Sequence, residues 1–176
     1  MSLLLLIGDR QSGKTTACRR LVELARARGL SVGGIICPAV HEGRRRVGYD
    51  VIDLSTGGST RLATTKGPGV ERVGRFHFAP EGLALGNTAL SRAGASRDAL
   101  VIIDEVGPLE LAGGGWSRQL PSLADRPGIT LMTARRALAS ELAKVWNVAA
   151  DAIFELADDS EAVVGAILRR ATALES

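Results

Sequence analysis

Nothing constrains the fold of this chain more than Gly8-Asp9-Arg10-Gln11-Ser12-Gly13-Lys14-Thr15, which matches G-x-x-x-x-G-K-[ST] at every specified position. Directly before it runs Leu3, Leu4, Leu5, Leu6 and Ile7, an apolar stretch without alternation, as expected of a strand buried on both faces in a parallel sheet. After Gly13, residues Ala17, Leu21, Leu24 and Ala25 recur at helical spacing until Gly29, which suits the position just past a helix end. A strand, a glycine-containing loop and a helix in that order aim successive backbone N–H groups and the positive helix end at one anion. Gly8, Asp9, Arg10, Gln11, Ser12, Gly13, Lys14, Thr15 and Thr16 are therefore expected to cradle a phosphate chain. Lys14 is expected on the β and γ phosphates and the Thr15 hydroxyl on a magnesium ion bridging them. The competing reading is a turn that merely caps a helix.

Further along, the pattern keeps alternating. Strands are expected over residues 32–37, 100–103, 129–132 and 152–156, and helices over residues 80–92, 116–124, 138–146 and 159–174. Strands alternating with helices imply parallel β-α-β units, hence an α/β fold with a mainly parallel sheet flanked by helices. Residues 44–54 differ, because Val47, Tyr49 and Val51 alternate with polar neighbours before Gly57-Gly58. They read as an inserted antiparallel hairpin, with residues 70–78 as a further strand of the insertion. With 176 residues, the chain reads as one phosphate-loop domain over residues 1–176.

A phosphate loop needs an acid from a neighbouring strand to help hold magnesium. Asp104 follows Leu100, Val101, Ile102 and Ile103, at the carboxyl end of a buried strand, where ligands of parallel sheets bind. Glu105 comes next and points the other way if the strand continues. One acid then serves the metal and the other acts as general base toward a water, an arrangement suited to hydrolysis. Structural hydrogen bonding at a strand end is the plainer reading of Glu105. Arg135 and Arg136 follow a strand on the same edge, where a guanidinium stabilises charge on a transferring phosphoryl group. Arg136 is carried as the catalytic candidate and surface ion pairing as its alternative. Arg44, Arg45 and Arg46 read as a solvated turn protecting an edge strand, or as a phosphate or partner surface.

Composition narrows the partners. Three Phe, two Trp and one Tyr leave few stacking platforms, which argues against single-strand nucleic-acid binding despite a net charge of +3. Trp116 and Trp146 read as packing residues. His41 and His77 lack an acidic or thiol partner at ligand spacing. Cys18 and Cys37 read as reduced core thiols. The chain has no apolar run of membrane-spanning length and no signal-peptide core, so a cytoplasmic monomer without membrane contact is expected.

The blocks Gly33-Gly34-Ile35, Glu42-Gly43-Arg44-Arg45-Arg46-Val47-Gly48-Tyr49-Asp50-Val51, Arg72-Val73-Gly74-Arg75-Phe76 and Val101-Ile102-Ile103-Asp104-Glu105-Val106-Gly107-Pro108-Leu109-Glu110-Leu111 occur in that order behind the loop. Together they resemble the THEP-type nucleoside-triphosphatases, also called cancer-related nucleoside-triphosphatases, over nearly the whole length. The resemblance implies a P-loop domain of the additional-strand, catalytic-glutamate class that hydrolyses nucleoside triphosphates, ATP and GTP among them, slowly and with broad base tolerance. Two other classes share the loop. One is a nucleotide or small-molecule kinase, for which the inserted hairpin is a lid; the other is a switch protein whose hydrolysis times partner binding.

Overall fold

The computed structural model describes residues 2–156 and 159–173. In chain order the elements are β1 (Ser2–Gly8), α1 (Lys14–Ala27), β2 (Val32–Ile36), β3 (Ala39–Glu42), β4 (Arg45–Asp53), β5 (Ser59–Thr64), β6 (Glu71–Val73) and β7 (Phe76–Phe78). They continue with α2 (Pro80–Ala95), β8 (Leu100–Val106), α3 (Pro108–Leu111), α4 (Leu120–Asp125), β9 (Ile129–Arg135), α5 (Ala139–Val145), β10 (Ile153–Glu155) and α6 (Ser160–Ala173). The last residue of the expected C-terminal helix, Leu174, lies outside the described residues.

The ten strands of the described residues share one sheet, with β10, β1, β9, β8 and β2 side by side and each neighbouring pair among them parallel. This is an α/β, P-loop nucleoside-triphosphatase fold. The strand β9 stands between the loop-bearing β1 and the acid-bearing β8, the additional strand that the resemblance implies. Leu4, Leu5 and Leu6 are essentially inaccessible, because β1 is flanked by strands on both edges and covered on both faces. Right-handed crossovers carry the chain one way from β1 through α1 to β2 and the other way from β8 through α4 to β9, which puts α1 and α4 on opposite faces. From β9 the chain continues in that second direction to β10, so the loops after β1 and β9 diverge, and the crevice between their carboxyl ends is the ligand position of such sheets.

The antiparallel insertion is larger than a hairpin. Beyond β2 the sheet continues as β4, β5, β7 and β6, with β3 beside β4, and each of these pairs is antiparallel. Residues 70–78 form two short strands rather than one, since Gly74 turns the chain at a φ of 57°. Asp53 at the end of β4 ties the arm to the core: its carboxylate accepts from the Ser55 amide at 2.9 Å, Thr56 Oγ1 at 2.8 Å and Arg92 of α2 at 3.1 Å. Burial alone would raise the pKa of Asp53, but those bonds hold it below the usual carboxylate range.

The helix expected over residues 116–124 begins only at Leu120. Pro121 explains the start, since proline is tolerated in a first turn and not deeper in a helix. A short helix, α3, appears instead where none was expected, ahead of Gly113-Gly114-Gly115.

The close fit of β2 on β8 depends on Gly34. Its φ is 93°, and a Cβ there would stand 2.1 Å from the Ile102 carbonyl oxygen. Gly34→Ala is expected to lower stability by about 3 kcal/mol, from backbone strain and the overlap together. A urea midpoint equal to that of wild type would contradict this packing.

Candidate active site

The phosphate loop is built as its spacing requires. Gly13 takes a φ of 90° immediately before α1, a left-handed turn that a Cβ would oppose, and the Ala17 amide closes the first helical turn on the Gly13 carbonyl at 2.8 Å. Gln11 is also left-handed, at 61°, so the loop curls back on itself. Gly8 is buried, while Asp9, Arg10, Gln11, Gly13 and Thr16 are exposed along the crevice.

Lys14 folds over this loop and is almost fully buried. Its ammonium donates to the carbonyls of Gly8 at 3.1 Å and Asp9 at 2.8 Å, which leaves one of its three N–H donors for an anion. Burial pulls its pKa down, against the opposing pull of Glu105 and Asp104. Ser12 Oγ is shut off from solvent without a hydrogen-bond partner among the described residues. An unspent buried hydroxyl within the loop suits a phosphate oxygen.

Asp104 is completely buried, and both neighbouring strands help hold it. One carboxylate oxygen accepts from Thr15 Oγ1 at 2.8 Å and from the Cys37 amide, just past β2, at 3.0 Å. The other accepts from Thr133 Oγ1 of β9 at 2.6 Å. The loop and the acid that lie 89 positions apart in sequence thus meet directly. Two hard oxygen donors, the Thr15 hydroxyl and the Asp104 carboxylate, sit together beside the phosphate cradle, a set that fits magnesium shared with phosphate oxygens.

Glu105 reaches its position by a different route from simple strand alternation. The pairing of β8 with β9 shifts between Ile103 and Val106, and Glu105 adopts a left-handed φ of 63°. A bulge of this kind re-aims a side chain next to an active site, and a left-handed residue other than glycine costs on the order of 1 kcal/mol or more. The Glu105 amide donates to the same Thr133 Oγ1 at 2.9 Å, so Thr133 fixes both acids. Neither Thr133 nor the Cys37 amide was singled out from sequence. β9 carries two threonines, Thr130 and Thr133, and nothing in the sequence distinguishes the second.

Burial first, then the neighbouring Asp104 charge, raises the Glu105 pKa above the usual carboxylate range, while Lys14, Arg135 and Arg46 pull against the rise. Glu105 faces a cavity of about 610 Å³ between the sheet's carboxyl edge and the antiparallel arm. Arg135 lines that cavity with it, whereas Arg136 does not. The Arg136 guanidinium is held at the rim by ion pairs to Asp9, at 3.5 Å, and to Glu155 of β10. The arginine placed beside Glu105 is therefore Arg135, one residue from the sequence expectation, because β9 runs straight through residue 135 before the chain turns away. The Arg44-Arg45-Arg46 run also divides: Arg44 and Arg45 are exposed at a turn, and Arg46 enters the cavity against Tyr49.

Glu110, buried nearby, has both oxygens engaged by backbone amides, from Gly107 at 2.7 Å and Trp116 at 3.2 Å. Burial nevertheless raises its pKa to about 7. Its contacts close the first turn of α3 and pin the loop that follows β8. Cys18 and Cys37 are free and buried, and burial pushes both thiols up in pKa. Among the described residues no helix is long and apolar enough to cross a membrane.

Comparison with known proteins follows the same lines. The chain resembles the nucleoside-triphosphatase THEP1 of Methanopyrus kandleri, at 37% identity over 64% of this chain and 62% of that protein. It also resembles that of Pyrococcus abyssi, at 38% identity over 72% and 70%. The chain thus spans about 62% of the length of the first of these relatives in alignment. Two solved structures share the fold: a human cancer-related nucleoside triphosphatase in solution, with TM-score 0.73, 24% identity and 96% of each chain covered, and the crystal structure of THEP1 from Aquifex aeolicus, with TM-score 0.73, 20% identity and 99% of each chain covered. A family model described as NTPase matches residues 3–164. That match takes in the phosphate loop, Asp104, Glu105 and the whole antiparallel arm, and the chain belongs to this NTPase family.

Proposed function

We propose that the chain is a magnesium-dependent nucleoside-triphosphate phosphohydrolase that turns a nucleoside triphosphate and water into the diphosphate and phosphate. The observation that carries this reading is the linked set Thr15, Asp104, Thr133 and Glu105, which joins a phosphate cradle to a free carboxylate facing a cavity. The names of the relatives point the same way. One continuous sheet with one hydrophobic core supports a single domain over residues 1–176.

In this reading the loop amides, Ser12 Oγ and Lys14 hold the β and γ phosphates. Thr15 and Asp104 hold magnesium, which when bound neutralises charge on those phosphates. Glu105 takes the proton of the water that attacks the γ phosphorus; such a base contributes about 10²- to 10⁴-fold. Arg135 stands beside Glu105, placed to stabilise charge on the phosphoryl group. Arg136, paired with both Asp9 and Glu155, braces the loop against β10. Every one of these contacts addresses phosphates or metal and none addresses a base, so ATP and GTP are both substrates.

Phosphate release from ATP, GTP, CTP and UTP, with magnesium and with a chelator in excess, tests the proposal. Release from all four, lost on chelation, is the expected result. No release without an added hydroxyl compound would favour a kinase, and release indifferent to chelation would remove magnesium from the reaction.

A further inference from the structure

The chain has three Phe, two Trp and one Tyr, yet four of these six rings, Tyr49, Phe76, Phe78 and Trp116, line the single cavity that Glu105 faces. They come from β4, β7 and the segment before α4, so no local sequence pattern gathers them. Tyr49 and Phe76 meet edge to face with centroids 5.1 Å apart. At about 610 Å³ the cavity lies within the range of small-molecule sites, roughly 300–1,000 Å³.

Its charge is one-sided. Arg10, Arg46, Arg75 and Arg135 line it, and none of the four appears among the ion pairs of the described residues. Of the two acids in the wall, Glu105 and Glu110, Glu110 is already satisfied by two amides. An excess of unpaired guanidinium groups over apolar rings calls for an anion that carries a flat apolar body.

The triphosphate does not account for all of this. Phe76 and Phe78 belong to β7, four strand positions beyond β8 in the sheet, on the side away from the loop-bearing β1. If the γ phosphate faces Glu105, as in the function proposed above, the loop after β1 holds the rest of the nucleotide on the opposite side of β8 from these rings. We propose that the arm side of this cavity is a second ligand site, adjoining the phosphate loop at Arg10 and Glu105, for a small organic anion with a planar apolar ring. The ring lies among Tyr49, Phe76, Phe78 and Trp116, and the acid meets Arg46 and Arg75.

Trp116 supplies the readout, because Trp146→Phe leaves it the only tryptophan. In that full-length background, phenyl phosphate and phenylacetate are titrated against Trp116 fluorescence, with and without saturating magnesium adenylyl imidodiphosphate. The expected result is a saturable change with Kd of about 1 mM or tighter for both aromatic anions. Benzyl alcohol, acetate and inorganic phosphate should bind at least about tenfold more weakly, and the nucleotide analogue should leave the aromatic-anion Kd within about threefold. Phe76→Ala and, on the exposed rim, Arg75→Gln should each weaken binding by about tenfold with the melting temperature preserved. The proposal is overturned by the absence of a saturable signal, by an equal response to acetate, or by displacement of the probes by the nucleotide analogue, which would place the base in the cavity. Failure of the analogue itself to bind would refute the triphosphate reading alone, since the aromatic-anion Kd is measured independently of it.

Discussion

Glu105→Gln is expected to lower kcat for triphosphate hydrolysis by about 10²-fold or more while triphosphate affinity stays close to that of wild type. Glutamine keeps the size of the side chain, and the bond between the residue 105 amide and Thr133 does not depend on the carboxylate. The bulge and the left-handed turn therefore survive, and only the capacity to accept a proton is lost. The variant should accumulate bound, uncleaved triphosphate. A pH profile separates this from a positional effect. Burial and Asp104 raise the Glu105 pKa, and a base works only when deprotonated, so wild-type activity should fall as pH drops through that raised value. The acid limb should vanish in Glu105→Gln. Glu110→Gln serves as the control, because both Glu110 oxygens are occupied by amides and its loss should reduce stability rather than kcat. Wild-type turnover in Glu105→Gln together with an inactive Glu110→Gln would move the base to Glu110.

Lys14→Ala is expected to remove both affinity and turnover. A charge-assisted hydrogen bond is worth about 1.5–3 kcal/mol, or roughly 10- to 150-fold in Kd, and Lys14 loses its hold on the Gly8 and Asp9 carbonyls as well. The loop should loosen, so turnover falls further than binding does. Titration calorimetry with a non-hydrolysable triphosphate and magnesium measures the first effect; an unchanged Kd would rule out the phosphate-loop assignment.

Much of the parallel half of the sheet was legible because its signals are local. The unbroken apolar run of β1, the spacing of the loop and the apolar residues before Asp104 each specify their own surroundings. The antiparallel arm was legible only in part, since short strands such as β6 and β7 carry too few residues to show a period and owe their existence to pairing with β5 and each other. The helix after the glycine triplet was misplaced because Trp116 looks helical in spacing, while Pro121 sets the actual start. At the site, Lys14, Thr15 and Asp104 came from motif and position. The choice between Arg135 and Arg136 depends on where β9 stops, and the orientation of Glu105 depends on a bulge; both are decided by strand pairing. Thr133 and the Cys37 amide were invisible for the same reason, since they act on Asp104 only once β9 and β2 flank β8.

The most direct test of this account is a crystal structure of Glu105→Gln grown with ATP and magnesium. The account predicts an intact triphosphate with its β and γ phosphates inside the loop from Gly8 to Thr16, magnesium beside Thr15 and Asp104, and the γ phosphate facing residue 105. A triphosphate bound elsewhere, or a γ phosphate turned away from residue 105, would contradict it.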